Sequence, residues 1–260
     1  MAEVVKQERR GSALLLTIDR PEAGNSLSAE VSQAFLDILD GIEGDISLRA
    51  IIVTGAGDRF FCTGGDVKRY ALLETKDELR EIMRLARTVF HRFEALPVPV
   101  IAAINGLAIG GGAEIVLASD IRVAAPHAQI SMPQVRLGIV TGWAGYERLV
   151  RDIGFTRAME VVTTGERFDA EEALRLCIIN KVAPDKDVVG AAMTYVESFD
   201  KAAPLALTAA KRIIHTAAKG PPDQAEQVAA DAFVDLWFTE DHREAEKAFA
   251  EKRSPNFKGK

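Results

Sequence analysis

Cysteine is nearly absent from the chain: Cys62 and Cys177 are the only two in 260 residues. Their spacing fits no metal motif, and the pattern is that of two reduced thiols in a cytoplasmic protein. Cys62 precedes Thr63-Gly64-Gly65 and reads as a small buried residue rather than a nucleophile. Histidine is scarce too. His91, His127, His215 and His242 are scattered without a ligand-like spacing, so no metal site is expected. There is no excess of positive charge. Thirty-two Lys and Arg stand against 38 Asp and Glu, for a net charge of −6. That balance argues against nucleic acid as a partner. No apolar run reaches the length of a membrane span. The stretch Met1 to Gly11 is polar and has no signal-peptide core, so no membrane partner is expected. There is no low-complexity linker and no repeat. What is there is ordinary for a globular chain: 48% hydrophobic and 27% charged residues. The length suits one large domain or a domain with an appendage.

Periodicity supplies the elements. Val4-Val5 and Leu14 to Ile18 read as short strands around a polar turn. Ser28 is placed to cap a helix from Val31 to Ile42, whose apolar residues have helical period. Ala50 to Thr54 reads as a buried strand. Arg69 to Leu96 reads as mostly helix, stopped by Pro97-Val98-Pro99. Asp120 to Ala124 and Ala128 to Met132 read as further strands. From Gly145 the chain is almost all helical, with candidate helices Tyr146 to Val150, Thr156 to Thr163, Ala170 to Leu176, Val188 to Phe199, Pro204 to Ala218, Asp223 to Phe238 and Arg243 to Lys252. The polar tail Ser254 to Lys260 is expected to be loose.

The most informative stretch is Ile101-Ala102-Ala103-Ile104-Asn105-Gly106-Leu107-Ala108-Ile109-Gly110-Gly111-Gly112-Ala113-Glu114. An apolar run reads as a buried strand. A turn at Asn105-Gly106 and three glycines follow, then a helix. Three successive glycines carry a backbone entropy penalty, so something requires them. A ligand approaching the main chain at a helix start would do so. There the N–H groups lack partners and the helix dipole favours negative charge. Glu114 lies one turn into that helix. An oxyanion site beside an acid/base carboxylate is an arrangement for carbonyl chemistry.

The run Asn105 to Glu114 closely resembles a signature of the crotonase superfamily, the enoyl-CoA hydratases and isomerases. Phe60-Phe61-Cys62-Thr63-Gly64-Gly65-Asp66-Val67-Lys68 is a second match. Ala248-Phe249-Ala250-Glu251-Lys252-Arg253 is a third. The resemblance implies an α/β fold, the ClpP/crotonase-like spiral of repeated β-β-α units. It divides the chain into a core, 1–203, holding an acyl-CoA site, and a C-terminal helical region, 204–260, that packs against other subunits of a homotrimer or dimer of trimers. Phe233, Trp237 and Phe238 suit such an interface, and intrachain packing serves them equally. The substrate implied is an acyl-CoA thioester, with coenzyme A as part of the substrate and no separate cofactor.

By the same resemblance the N–H groups of Gly65 and Gly111 hold the thioester oxygen. Glu114 matches the first of two catalytic glutamates. Gly64, Gly65, Asp66, Val67, Lys68 and Gly111 line the coenzyme A path, and the loop Arg20 to Leu27, with Ala23 and Asn25, runs beside the adenine end. Two departures stand out. Gln134 replaces the second hydratase glutamate, and an amide does not exchange a proton near neutral pH. Thr141-Gly142-Trp143-Ala144-Gly145-Tyr146 replaces a proline- and glycine-rich loop, so Thr141 and Trp143 are candidate pocket residues. A hydratase-like lyase of class EC 4.2.1.- in fatty acid metabolism is the leading expectation. The alternatives are another enolate reaction (isomerisation, decarboxylation, C–C hydrolysis or cleavage) and a non-catalytic acyl-CoA-binding protein.

Overall fold

The computed structural model describes residues 3–260. Among these residues, ten strands divide between two sheets. The larger runs in the order β1 (Val5–Arg10), β2 (Ala13–Ile18), β3 (Ala50–Gly55), β5 (Val100–Ile104), β7 (Ile121–Ala124) and β10 (Lys181–Val182). Only β1 is antiparallel to its neighbour; the other pairings are parallel. The smaller sheet runs β4 (Phe60–Cys62), β6 (Leu107–Ile109), β8 (Gln129–Ser131) and β9 (Arg167–Asp169). Here β4, β6 and β8 are parallel and β9 is antiparallel.

The helices are α1 (Ala29–Gly41), α2 (Val67–Tyr70), α3 (Lys76–Ala95), α4 (Gly111–Ala118), α5 (Gly145–Ile153), α6 (Phe155–Thr164), α7 (Ala170–Arg175), α8 (Val188–Phe199), α9 (Pro204–Lys219), α10 (Pro222–Trp237) and α11 (Glu240–Glu251). The chain order and the sheet order together define a spiral. Each turn gives one strand to the large sheet and the next to the small one: β3 then β4, β5 then β6, β7 then β8. Helices close the turns. An earlier turn leaves its trace as a single parallel bridge between Leu27 and Gly65, just before α1. The architecture is the α/β crotonase spiral that the resemblance implies.

Physical patterning explains the layers. Every residue of β3 and β5 is buried, as a parallel sheet covered on both faces requires. Thr75 and Glu78 form a reciprocal capping box at the start of α3. Leu96 is already extended, which the following Pro97 enforces. Phe35 of α1 and Phe93 of α3 meet edge to face at 5.6 Å. Helix α9 is anchored through buried Lys211, whose ammonium donates to the carbonyls of Phe93 and Val98 at 2.8 and 2.9 Å and pairs with Asp120. His215 meets the same carboxylate at 2.6 Å.

Several expectations are corrected. The 69–96 span is mostly helix as expected, but in two pieces broken at 71–75, because Thr75 starts a new capped helix. The segment after Asn105-Gly106 carries strand β6, whose three residues are too short to show a period. The tail is not loose. The N–H groups of Lys258 and Gly259 donate to the buried Asp241 carboxylate at 2.6 and 2.8 Å, and the Lys260 carbonyl accepts from Asp241 N. Phe233, Trp237 and Phe238 remain exposed in the single chain, with Trp237 meeting the Phe233 and His242 rings at 5.5 and 4.4 Å.

Candidate active site

Three neighbouring parallel strands end on the same side. Gly65 follows β4, Gly111 follows β6 and Gln134 follows β8. The carboxyl ends of parallel strands are where open α/β sheets form ligand crevices. The loop after β4 lies directly on the loop after β6. A Cβ on Gly64 would sit 2.8 Å from the Gly111 nitrogen, and one on Gly112 would collide with the Cys62 carbonyl oxygen. Gly64 (φ +92°) and Gly110 (φ +60°) also need left-handed backbone, which turns each loop back over the strand ends.

Two main-chain donors are left over. Among the described residues, neither the Gly65 nor the Gly111 N–H has a hydrogen-bond partner. Gly111 opens α4, where first-turn amides are unpaired by construction. Gly65 lies on the Leu27 bridge, whose bonds use the Gly64 carbonyl and the Asp66 N–H and leave its own N–H free.

Glu114 lies one turn into α4 and is only 2% exposed. Its Oε2 accepts from the N–H groups of Trp143 and Gly145 at 2.9 and 3.0 Å, while Oε1 makes no hydrogen bond. Burial pushes this carboxyl up to about 7. The two amides and the Arg148 cation oppose that rise, and Glu147 adds to it. A carboxyl poised near neutrality suits proton transfer. Gly145 is a glycine for space: a Cβ there would lie 2.6 Å from Glu114 Cγ.

Aromatic groups wall the site. The Trp143 ring rests on Gly111, where a Cβ would strike its Cζ3. It is 4% exposed and meets Phe90 edge to face at 5.7 Å. The Tyr70 hydroxyl lies over Gly65, 2.6 Å from a Cβ position there. Gln134 is buried at 5% exposure, with its amide nitrogen 3.9 Å from a Cβ position on Gly110. Tyr146 sits close enough to Glu114 for the carboxylate to raise its phenol, after the larger effect of burial. The Tyr70 and Tyr146 hydroxyls, Trp143 Nε1 and Gln134 Oε1 are all buried without a partner. Each of the four side chains borders Gly65, Gly110, Gly111 or Glu114. Buried polar groups are normally paired, so this concentration marks a place built to receive hydrogen bonds.

The other expected residues take varied positions. Asp66 caps α2 and pairs with Arg20 at 3.0 Å. Val67 and Lys68 are exposed beside it, and Ala23 is half-buried on the neighbouring loop. Asn25 has no side-chain polar group left over. It is fully buried, its amide donates to the carbonyls of Ala56 and Phe60, and its oxygen accepts from Arg20 N. It pins the loop. Thr141 Oγ1 accepts from Tyr146 N at 3.4 Å and stabilises the start of α5. Cys62 is wholly buried, and its thiol is pushed up to about 12 by burial, so no thiolate forms near neutrality. Among the described residues no three His, Cys, Asp or Glu side chains gather where a metal would bind, and no helix is long and apolar enough to cross a membrane.

Known proteins match this geometry over nearly its full extent. The family model for enoyl-CoA hydratase/isomerase matches residues 8–260. A short-chain-enoyl-CoA hydratase of Clostridium acetobutylicum is 36% identical over 246 residues, 95% of this chain and 94% of that protein. A carnitinyl-CoA dehydratase of Escherichia coli K12 is 36% identical across the whole of both chains. The crystal structure of an enoyl-CoA hydratase from Bacillus anthracis superposes with a TM-score of 0.96 at 33% identity, covering 99% of this chain and 100% of that one. With paired loops, free amides, a poised carboxyl and these likenesses in one chain, the protein belongs to the enoyl-CoA hydratase/isomerase family of the crotonase superfamily, enzymes that act on acyl-CoA thioesters.

Proposed function

We propose that this enzyme hydrates a 2-enoyl-CoA, with Glu114 as a single acid/base. The observation that carries the reading is the division of labour on its carboxyl. Oε2 is fixed by two amides, and Oε1 is free. The thioester carbonyl sits on the Gly65 and Gly111 N–H groups. A water held by Glu114 Oε1 gives that carboxylate a proton as its oxygen bonds to Cβ. The double-bond electrons move onto the thioester oxygen, where the two amides stabilise the enolate. The enolate then collapses and takes the proton from Glu114 at Cα. The carboxylate is regenerated, and atoms and charges balance.

Support for a single-carboxylate scheme comes from Gln134, which accepts and donates hydrogen bonds but acts as neither an acid nor a base near pH 7. Its place beside Gly110 suits holding water or substrate. The Gln134→Glu variant should therefore raise hydration of crotonyl-CoA, by about tenfold or more if a second carboxylate takes over one proton. Steady-state turnover checks this, and an unchanged or lower kcat shows that the missing carboxylate does not limit the rate.

The same Gln134 favours a second reading, a different reaction through the same enolate. A substrate panel separates the two. Hydration of crotonyl-CoA and longer enoyl-CoAs is the expected result. Product formation only by isomerisation, decarboxylation or C–C cleavage points to the second.

A further inference from the structure

Glu114 is held by two amides, and the turn that presents them has its own support. Across Trp143, Ala144 and Gly145, two N–H groups point to Glu114 Oε2. The carbonyls of Trp143 and Ala144 point the other way and accept from one nitrogen, Arg148 Nη1, at 2.5 and 3.2 Å. Ala144 lies at φ +64°, a region an alanine seldom adopts. Local preference does not hold this turn, so its surroundings must.

Those surroundings are specific. Arg148 is 2% exposed and its Nε donates to Glu94 Oε1 at 2.9 Å. Glu94 is itself buried, 54 residues away on α3, and its other oxygen accepts from Lys219 of α9 at 2.9 Å. Arg151 reaches the same carboxylate at 3.4 Å. The guanidinium of Arg148 also lies over the Phe90 ring, whose edge relation supports Trp143.

We propose that Glu94 and Arg148 are a positioning pair: they clamp the Trp143–Gly145 turn so that its two amides fix Glu114 Oε2 and leave Oε1 to the substrate. The proposal rests on Glu114 acting as the acid/base. Neither Glu94 nor Arg148 touches the reacting atoms. The charged and titratable groups facing Glu114 are Arg148 and Glu147 of α5 and the Tyr146 phenol. Both the amides and the Arg148 cation favour ionised Glu114, so loosening the clamp must raise its titration midpoint.

The test compares Arg148→Met, the double variant Glu94→Met with Arg148→Met, and Glu94→Gln. The double variant removes both charges and leaves no buried ion unpaired, so it keeps the experiment usable if Arg148→Met does not fold. Glu94→Gln keeps an acceptor for Arg148 Nε and serves as the conservative rescue. Carbon-13 NMR of labelled glutamate, assigned with Glu114→Gln, reads the Glu114 midpoint directly. The clamp variants should raise that midpoint by about one unit or more. They should also lower kcat by at least about tenfold while KM moves less than about threefold. Glu94→Gln keeps the acceptor but not the counter-charge, so it should fall between the parent and Arg148→Met in both. A folded double variant whose Glu114 midpoint and kcat match the parent would overturn the proposal. Full turnover by Glu114→Gln would instead sink the acid/base reading, and the NMR comparison would still decide the clamp.

Discussion

Glu114→Gln lowers kcat for hydration by about 10²- to 10⁴-fold, the range for removing a positioned acid/base. Binding should change far less. The amide oxygen of glutamine still accepts from Trp143 and Gly145, so the local geometry persists. The substitution also has a stability signature. The Glu114 carboxyl has an ordinary value of 4.5 and is pushed up to about 7 in the fold, first by burial. Between those values the native state binds more protons than the unfolded chain, so stability falls as pH rises through that window. The penalty is on the order of 3 kcal/mol once the group is ionised. Glutamine removes it. The variant should therefore gain thermal stability relative to the parent at pH 8 and show little gain at pH 4.5. Steady-state kinetics and melting curves at the two pH values check both halves. Retained turnover would end the catalytic assignment, and an equal gain at both pH values would end the titration argument.

Gly111→Ala should lower kcat/KM by about 10²- to 10³-fold, comparable to losing an oxyanion donor. The reason is steric. A Cβ there collides with the Trp143 ring, and that ring belongs to the turn that holds Glu114. One methyl group thus disturbs the oxygen cradle and the carboxylate together. Adding Trp143→Ala removes the collision, so the double variant should recover part of the lost activity and show strong non-additivity. Its kinetics are compared with those of each single variant. If Gly111→Ala turns over like the parent, or if Trp143→Ala brings no recovery, the contact between ring and glycine does not govern the site.

Much of this site is legible in the sequence, for identifiable physical reasons. Three glycines ahead of Glu114 signal a close approach at a helix start, and the structure places a free N–H and a buried carboxyl there. Gly64-Gly65 signals the facing turn. The alternation of short strands with helices marks an α/β class, and the spiral itself comes from the family resemblance. What stays hidden depends on contacts between distant residues or on main-chain groups. Backbone amides such as those of Trp143 and Gly145 have no residue-type signature. The Glu94–Arg148 contact spans 54 positions and lies between two helices whose charged residues read as ordinary surface. Asn25 looks like a loop residue open to a ligand, but its amide is consumed by two carbonyls. Asn105 reads as a turn residue. In the fold its side chain is buried and ties Gly55 N and the Gly57 carbonyl together, and strand β6 follows at once. Strands β9 and β10 have three and two residues, below the length at which periodicity is visible.

The most direct measurement is a crystal structure with a slowly reacting acyl-CoA bound, such as acetoacetyl-CoA. The thioester oxygen should lie about 2.7–3.1 Å from both the Gly65 and Gly111 nitrogens, with Glu114 Oε1 facing the Cα–Cβ bond. A carbonyl bound elsewhere, or in contact with neither amide, would contradict the account at its centre.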